Sequence, residues 1–291
     1  MSKKSETLSI GSLVIDVING QKKVGGASAN AAVDLKMLGS ESSLLTALSK
    51  EVDSVNYQVH LGSLGIPVYG LQEQLDQLPR CVIQMGGDGK EIGYDWFGNG
   101  VEEAFQTAEV DAELIKKFPL IYLAICEHMF ATRVAREVDD SQILAYNPGS
   151  RVFEDHKYFK QIQQRANYIF LNEAEYGHLV AEGFVLSPQD LIVKPNQVAI
   201  ITAGKRETTL VSQNELIKVK PEIVTAIDET GAGDSFASAF LWARVQGYPF
   251  ETCIMIGNLL ASFVVRQVGC QVDSTTADLF KNEAKKRGLI Q

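Results

Sequence analysis

Apolar positions along the chain fall into two alternating rhythms: short runs of strand length, and longer stretches with helical spacing. Residues 8–14 read as a buried strand ending near Gly11-Ser12, and 15–24 as a short connection to Gly25-Gly26. Small and apolar residues then predict a tightly packed helix over 27–38 that ends at Gly39. A strand is expected over 43–48, a helix capped by Asp53 to about 61, and a further strand beginning at 65–68. Residues 80–85 and 91–97 alternate polar and apolar positions around Gly86-Gly87-Asp88-Gly89, a hairpin signal. From Asp111 the alternation resumes, with strands over 119–125, 142–146, 166–171 and 198–202 and a helix over 132–138. Another helix opens at Asn172-Glu173-Ala174-Glu175. Hairpin-like strands follow around 208–211 and 216–219, and helices over 233–245, 250–268 and 276–286 end the chain. Strands alternating with helices imply an α/β fold: a mainly parallel central sheet covered on both faces, with ligands at the carboxyl ends of the strands. The hairpin that interrupts this order is the candidate for a small β lid.

The stretch Asp228-Glu229-Thr230-Gly231-Ala232-Gly233-Asp234 is a small-residue loop opening directly into a helix. Such a junction aims unpaired N–H groups and the positive end of the helix dipole at whatever lies in front. Gly231 and Gly233 carry no Cβ, so an anion can come close to the backbone. Asp234 stands where either a helix cap or a general base could be. An anion hole beside a base is what phosphoryl transfer to an alcohol needs.

Length and composition narrow the classes. The 291 residues suit one α/β domain spanning 1–291, and a hydrophobic fraction of 45% is enough for a sizeable core. A net charge of -9 argues against a general nucleic-acid binder, though not against one nucleotide in a local pocket. Cys81, Cys126, Cys253 and Cys270 form no C-x-x-C pair, so buried free thiols and a reducing compartment are expected, with no zinc site. No apolar run reaches membrane-spanning length and the first residues show no apolar leader; a cytoplasmic protein is expected.

Asp228 to Phe236 resembles the C-terminal signature D-T-x-G-A-G-D of the ribokinase-like (PfkB) carbohydrate kinases, with Glu229 where the family commonly has Thr and Thr230 following. Gly25-Gly26-Ala27-Ser28-Ala29-Asn30 resembles the family's G-G-x-x-x-N, and Asn172-Glu173-Ala174-Glu175 its N-x-x-E. Thr202-Ala203-Gly204-Lys205-Arg206-Glu207 is similar to T-x-G-x-x-G with Glu207 in place of the second glycine. Glu127 and the pair Asn147-Pro148 also stand where related kinases carry such residues, and Asn258 opens the segment matching the family's late helix beside the adenine.

The resemblance implies an ATP-dependent kinase that phosphorylates a hydroxyl of a sugar, with a nucleoside as the alternative acceptor. It makes Asp234 the base and the amides of Gly231, Ala232 and Gly233 the anion hole. Asp16, Gly25, Gly26, Asn30 and Glu127 would hold the acceptor; Asn172, Thr202, Gly204, Thr230 and Asn258 the nucleotide; Glu175 the magnesium. A monovalent cation and a homodimer are left open. With Asp16 so close to Gly25, the lid is expected to be reduced to about 66–70 and 80–98. Tyr94, Trp96 and Phe97 there could stack on a base or form lid core. Two rivals remain: a non-catalytic sugar- or nucleotide-binding protein on the same scaffold, and a dinucleotide-dependent oxidoreductase. The second would need G-x-G-x-x-G after the first strand, where this chain has Gly11-Ser12-Leu13.

Overall fold

The computed structural model describes residues 6–18, 20–72, 75–85, 91–97 and 101–291, with the backbone alone for residues 85, 91–94, 96 and 97. In chain order the strands are β1 (Glu6–Ile10), β2 (Val14–Ile18), β3 (Gln21–Gly25), β4 (Glu41–Thr46), β5 (Val68–Gly70), β6 (Arg80–Met85), β7 (Glu91–Phe97), β8 (Leu120–Leu123), β9 (Ile143–Tyr146), β10 (Tyr168–Asn172), β11 (Val198–Thr202), β12 (Thr208–Ser212) and β13 (Leu216–Val219). The helices are α1 (Ala27–Leu38), α2 (Val52–Ser63), α3 (Val101–Thr107), α4 (Ala112–Ile115), α5 (His128–Glu137), α6 (His156–Gln163), α7 (Glu173–Ala181), α8 (Ala232–Val245), α9 (Phe250–Val264) and α10 (Ser274–Lys286).

Nine strands form the large sheet in the order β13-β12-β11-β10-β9-β8-β1-β4-β5. All pair in parallel except the β11–β12–β13 edge, which is antiparallel. Strand β8 shows why a central parallel strand is apolar throughout. Leu120 and Tyr122 pack into the layer of α1, α8, α9 and α10, while Ile121 and Leu123 pack into the layer of α5, α6 and α7. Alanines on α8 and Gly257 on α9 let these two helices lie close: a Cβ on Gly257 would come within 2.8 Å of the Phe236 ring. From β1 the chain first moves outward to β4 and β5, then crosses to β8 and builds the other half. The reversal leaves a crevice at the carboxyl ends of β1 and β8, the place where ligands bind in such sheets.

The second sheet has the order β3-β2-β6-β7 and corrects two expectations. Residues 15–24 are not a plain connection: β2 and β3 form an antiparallel hairpin, Ile15 opposite Val24 and Ile18 opposite Gln21. The signal was the Asn19-Gly20 dipeptide, a sequence cue for a hairpin; exposed Lys22 and Lys23 hid the strand from a search for apolar runs. The expected 66–70 contribution goes the other way. Strand β5 pairs with β4 at the edge of the large sheet, because Ile66 and the β5 residues follow α2 back beside β4. The lid is therefore fuller than expected, its two hairpins joined by parallel pairing of β2 with β6. Its described apolar contacts divide between two faces. Ile15, Val17 and Val24 pack on Tyr57 and Leu61 of α2, and Val14, Ile18, Cys81 and Ile83 form a cluster of their own. The turn expected at 86–89 and the side chains of Tyr94, Trp96 and Phe97 lie outside the described residues.

Candidate active site

At the start of α8 the N-cap is Gly231, with φ 75°. A Cβ there would lie 2.4 Å from that of Cys270, so the tight approach of loop and C-terminal segment requires glycine. Buried Asp228 staples the same two segments, accepting from the Thr230 N–H at 2.9 Å and the Gly269 N–H at 3.0 Å. Of the three expected anion-hole amides, that of Ala232 already donates to the Glu229 carbonyl at 3.3 Å. The amides of Gly233 and Asp234 have no backbone acceptor in the loop and lie in the first turn.

Asp234 makes no cap hydrogen bond. Its Oδ2 instead accepts from Asn30 Nδ2 at 2.8 Å, and Asn147 Nδ2 stands 3.5 Å from Oδ1 while donating to the Tyr122 hydroxyl at 2.8 Å. Burial pushes the Asp234 carboxyl up to about 6, and the Asn30 hydrogen bond works against that rise. On the other side, Asn30 Oδ1 accepts from Cys270 Sγ at 3.2 Å and Gln271 Nε2 at 3.3 Å. Asp16, on lid strand β2, is buried, and its Oδ2 lies 3.7 Å from the same sulfur, as an alternative acceptor for the single thiol proton. Gly25 lies against it, and Gly26, at φ 98°, against the Ser12 carbonyl, where a Cβ would come within 2.3 Å.

The fold brings together Asp16, Gly25, Gly26, Asn30 and Asp234, all of them expected from the sequence. Beside them stand Cys270, Gln271 and Asp34, which the sequence reading did not place there. Asp34 is fully buried, accepts from Ser235 Oγ at 2.6 Å and the Val272 N–H at 2.9 Å, and is pushed up to about 7 by burial. Its place two residues after a run of small residues, in the middle of α1, gave no sign of that. Glu127 is not drawn in with the rest: its two carboxylate oxygens cap α5 at the Met129 and Phe130 amides.

A cavity of about 150 Å³ lies beside Asp234, lined also by Asn147, Asn172, Glu175, Thr202 and Gly233. Asn172 and Glu175 form a reciprocal capping box at α7, which turns the Glu175 carboxylate inward. Burial raises its pKa to about 7, the Asn172 amide opposes the rise and Asp234 adds to it. Asn172, Thr202, Gly233 and Phe236 also line a groove of about 510 Å³ that runs away over α9. Val224, Ala226, Ala261 and Val265 give the groove apolar walls. Asn258 reaches it from α9: its Oδ1 accepts from Thr208 Oγ1 at 3.1 Å, and its buried Nδ2 has no partner among the described residues. Thr230 Oγ1 is likewise buried and unpartnered. At the mouth, Gly204 turns the β11–β12 loop with φ 57°, and Arg206 pairs with Glu173 at the start of α7, tying down a loop that lacks the second glycine. A groove with apolar walls and an unpartnered amide donor suits a flat heterocycle, and its inner end opens on a helix N-terminus and a carboxylate with a raised pKa.

Residues 3–277 match the family described as pfkB family carbohydrate kinase. A nucleoside kinase of Methanocaldococcus jannaschii is 27% identical over 280 residues, 94% of this chain and 90% of that one. One from Methanothermobacter thermautotrophicus is 28% identical over 86% of this chain and 80% of its own. Among solved structures, Burkholderia thailandensis nucleoside kinase in complex with inosine superposes with TM-score 0.81 at 19% identity, covering 95% of this chain and 98% of that one.

Proposed function

Because the chain belongs to the pfkB family of carbohydrate kinases, phosphotransferases with a hydroxyl acceptor, we propose that it transfers the γ-phosphate of ATP to a sugar hydroxyl, that of a nucleoside in particular. The observation that carries this reading is Asp234: a carboxylate at a helix start that caps nothing and is held by Asn30 at the inner end of the groove. The two relatives matched over most of both chains are nucleoside kinases, which favours a nucleoside over a free sugar.

In this reading Asp16, Asn30 and the Gly25-Gly26 backbone hold the acceptor. Asp234 removes the proton from the attacking hydroxyl, being ionised above about pH 6. The amides of Gly233 and Asp234 meet the charge that spreads over the transferred phosphoryl group. ATP lies along the groove, with the Asn258 Nδ2 donor facing its base and Thr202 and Gly204 near its phosphates.

No cluster of three His, Cys, Asp or Glu that could hold a metal occurs among the described residues. That fits magnesium, which keeps several waters and is bound through one or two carboxylates plus substrate phosphates. Glu175, oriented by Asn172, is the carboxylate in place for it. When bound, magnesium neutralises charge on the phosphates.

The test begins with a panel of nucleosides and free sugars screened for ATP turnover, followed by Asp234→Asn on the best acceptor. Asn keeps the shape and the helix-start polarity but cannot take the proton. A loss of about 10²–10⁴-fold in turnover is expected, with nucleotide binding retained and a melting temperature near the parent's. Near-parental turnover would refute the role of Asp234.

A further inference from the structure

The orientation of the Asn30 amide is not decided by Asn30 itself. A carboxamide has a donor end and an acceptor end, and turning it over exchanges them at little cost unless its neighbours discriminate. At the Asp234 side only the donor end is tolerable, because a carbonyl there would face a carboxylate. What enforces that choice lies on the far side. Asn30 Oδ1 meets two donors from the segment after α9, the Cys270 thiol and the Gln271 amide. A thiol is a weak donor, so most of the discrimination falls to Gln271. The Gln271 Nε2 is itself fixed, since it also donates to the hydroxyl of buried Tyr57 at 2.8 Å. A continuous chain therefore runs from Tyr57 on α2, through Gln271 and Asn30, to the carboxylate on α8.

We propose that Gln271 is a positioning residue: by occupying Asn30 Oδ1 it holds the Asn30 N–H on Asp234 Oδ2. Nothing about Gln271 touches the reacting atoms; it acts through Asn30. The consequence is electrostatic. The Asn30 hydrogen bond opposes the rise that burial imposes on Asp234. With Gln271 gone, Asn30 Oδ1 keeps only the weak thiol donor, the amide is held less firmly on the carboxylate, that opposition weakens, and the base stays protonated to a higher pH. Among the described residues the ionisable groups coupled to the base are Asp34 from α1, Tyr122 from β8, Glu175 from α7 and Cys270, with Asp16 from the lid beyond the thiol, and none of these is a cation. Lys22, Lys23 and His60 lie on the far side, where they line a pocket with Tyr57 and Gln271.

The experiment reads the Asp234 carboxyl directly. Protein labelled with 13C at the aspartate carboxyl is titrated, and the Asp234 resonance is the one missing from Asp234→Asn. In Gln271→Met, which keeps the length and removes the donor, that resonance should titrate about one unit higher than in the parent, and the acid limb of kcat/KM should move with it. Tyr57→Phe removes the hydroxyl that fixes Gln271 Nε2 and should move both in the same direction, by less than Gln271→Met does. An Asp234 resonance at its parental pH in Gln271→Met overturns the proposal whatever happens to the rate. A resonance that moves while the acid limb stays would leave the positioning role standing and remove Asp234 as the base, so the two readings fail separately. In the parent itself, the Asn30 side-chain amide signals must shift as Asp234 ionises. If they are flat the amide does not face the carboxylate, and the proposal falls without any Gln271 variant.

Discussion

Gly25 is the residue at which the absent side chain has the clearest use. A Cβ built there would lie 1.9 Å from Asp16 Oδ2, so a methyl group must displace that carboxylate. Its neighbour Gly26 is constrained by φ as well, and replacing it risks the fold. Gly25→Ala is the cleaner probe, because what it hits is the end of a side chain rather than backbone. Overpacking costs roughly 1–3 kcal/mol, which, taken from acceptor binding, raises the acceptor KM about tenfold. ATP KM and the melting temperature should change little. Steady-state kinetics with each substrate varied in turn checks this, and equal rises in both KM values would detach Gly25 and Asp16 from the acceptor side. This glycine was legible in the sequence as half of a pair before a helix, and Asp16 as a carboxylate after the first strand, but their contact was not: it arises because β2 and β3 form a hairpin that sets Gly25 diagonally across from Asp16. Residues such as Asp34, Cys270 and Gln271 were illegible for a related reason. Each owes its role to a contact more than two hundred positions away, and no local spacing encodes that.

At the scale of elements, the strand–helix alternation was read correctly because central parallel strands are apolar on both faces and end at recognisable loops. Boundaries were less visible where a cap decides them. Helix α5 begins at His128, several residues before the expected 132, because Glu127 captures two of its first amides. The lid shows what periodicity cannot supply. Strand β3 is its edge, with Gln21, Lys22 and Lys23 exposed, and it has only one strand beside it. Besides the pairing of β2 with β6, the hairpin is held by the apolar contacts of Ile15, Val17 and Val24 with a cluster that includes Tyr57 and Leu61 of α2, by the Cys270 thiol on the Val24 carbonyl, and by the Lys22–Asp53 ion pair at 2.7 Å, exposed enough to contribute under about 1 kcal/mol. Asp16 sits on this same hairpin, so an acceptor that engages Asp16 must also quieten the strand. Amides of 15–24 should exchange faster than those of β1 and β8 in the free protein and slow down when acceptor binds. Hydrogen exchange followed by mass spectrometry reads this segment directly. Protection that is already high and indifferent to ligand would make the hairpin a fixed part of the scaffold.

For the whole molecule, the site stores a pH dependence of stability. Asp34, Asp234 and Glu175 all have carboxyls raised by burial, Asp34 and Glu175 to about 7 and Asp234 to about 6. In the unfolded chain these groups release their protons near their ordinary values, 3.8 for Asp and 4.5 for Glu. Between those values and the raised ones the folded chain binds more protons than the unfolded one, so stability falls as pH rises through this window and levels off above about 7. Asp34 can be isolated from the other two. Asn at position 34 still accepts from the Val272 N–H and can donate to Ser235 Oγ, and it carries no proton to lose. The melting temperature of Asp34→Asn relative to the parent should therefore climb as pH is raised from about 4 to about 7, by calorimetry in matched buffers. A gap that stays constant over that range would mean Asp34 is ionised throughout. The same buried carboxylate has a second consequence, set by the order of synthesis. Asp34 and Asn30 belong to the first helix, yet their partners Val272, Cys270 and Gln271 follow more than two hundred residues later. A growing polypeptide can assemble the early strands and the first helix long before these distant residues emerge. It cannot complete the pocket until they do, so a half-made chain has no finished centre with which to spend nucleotide.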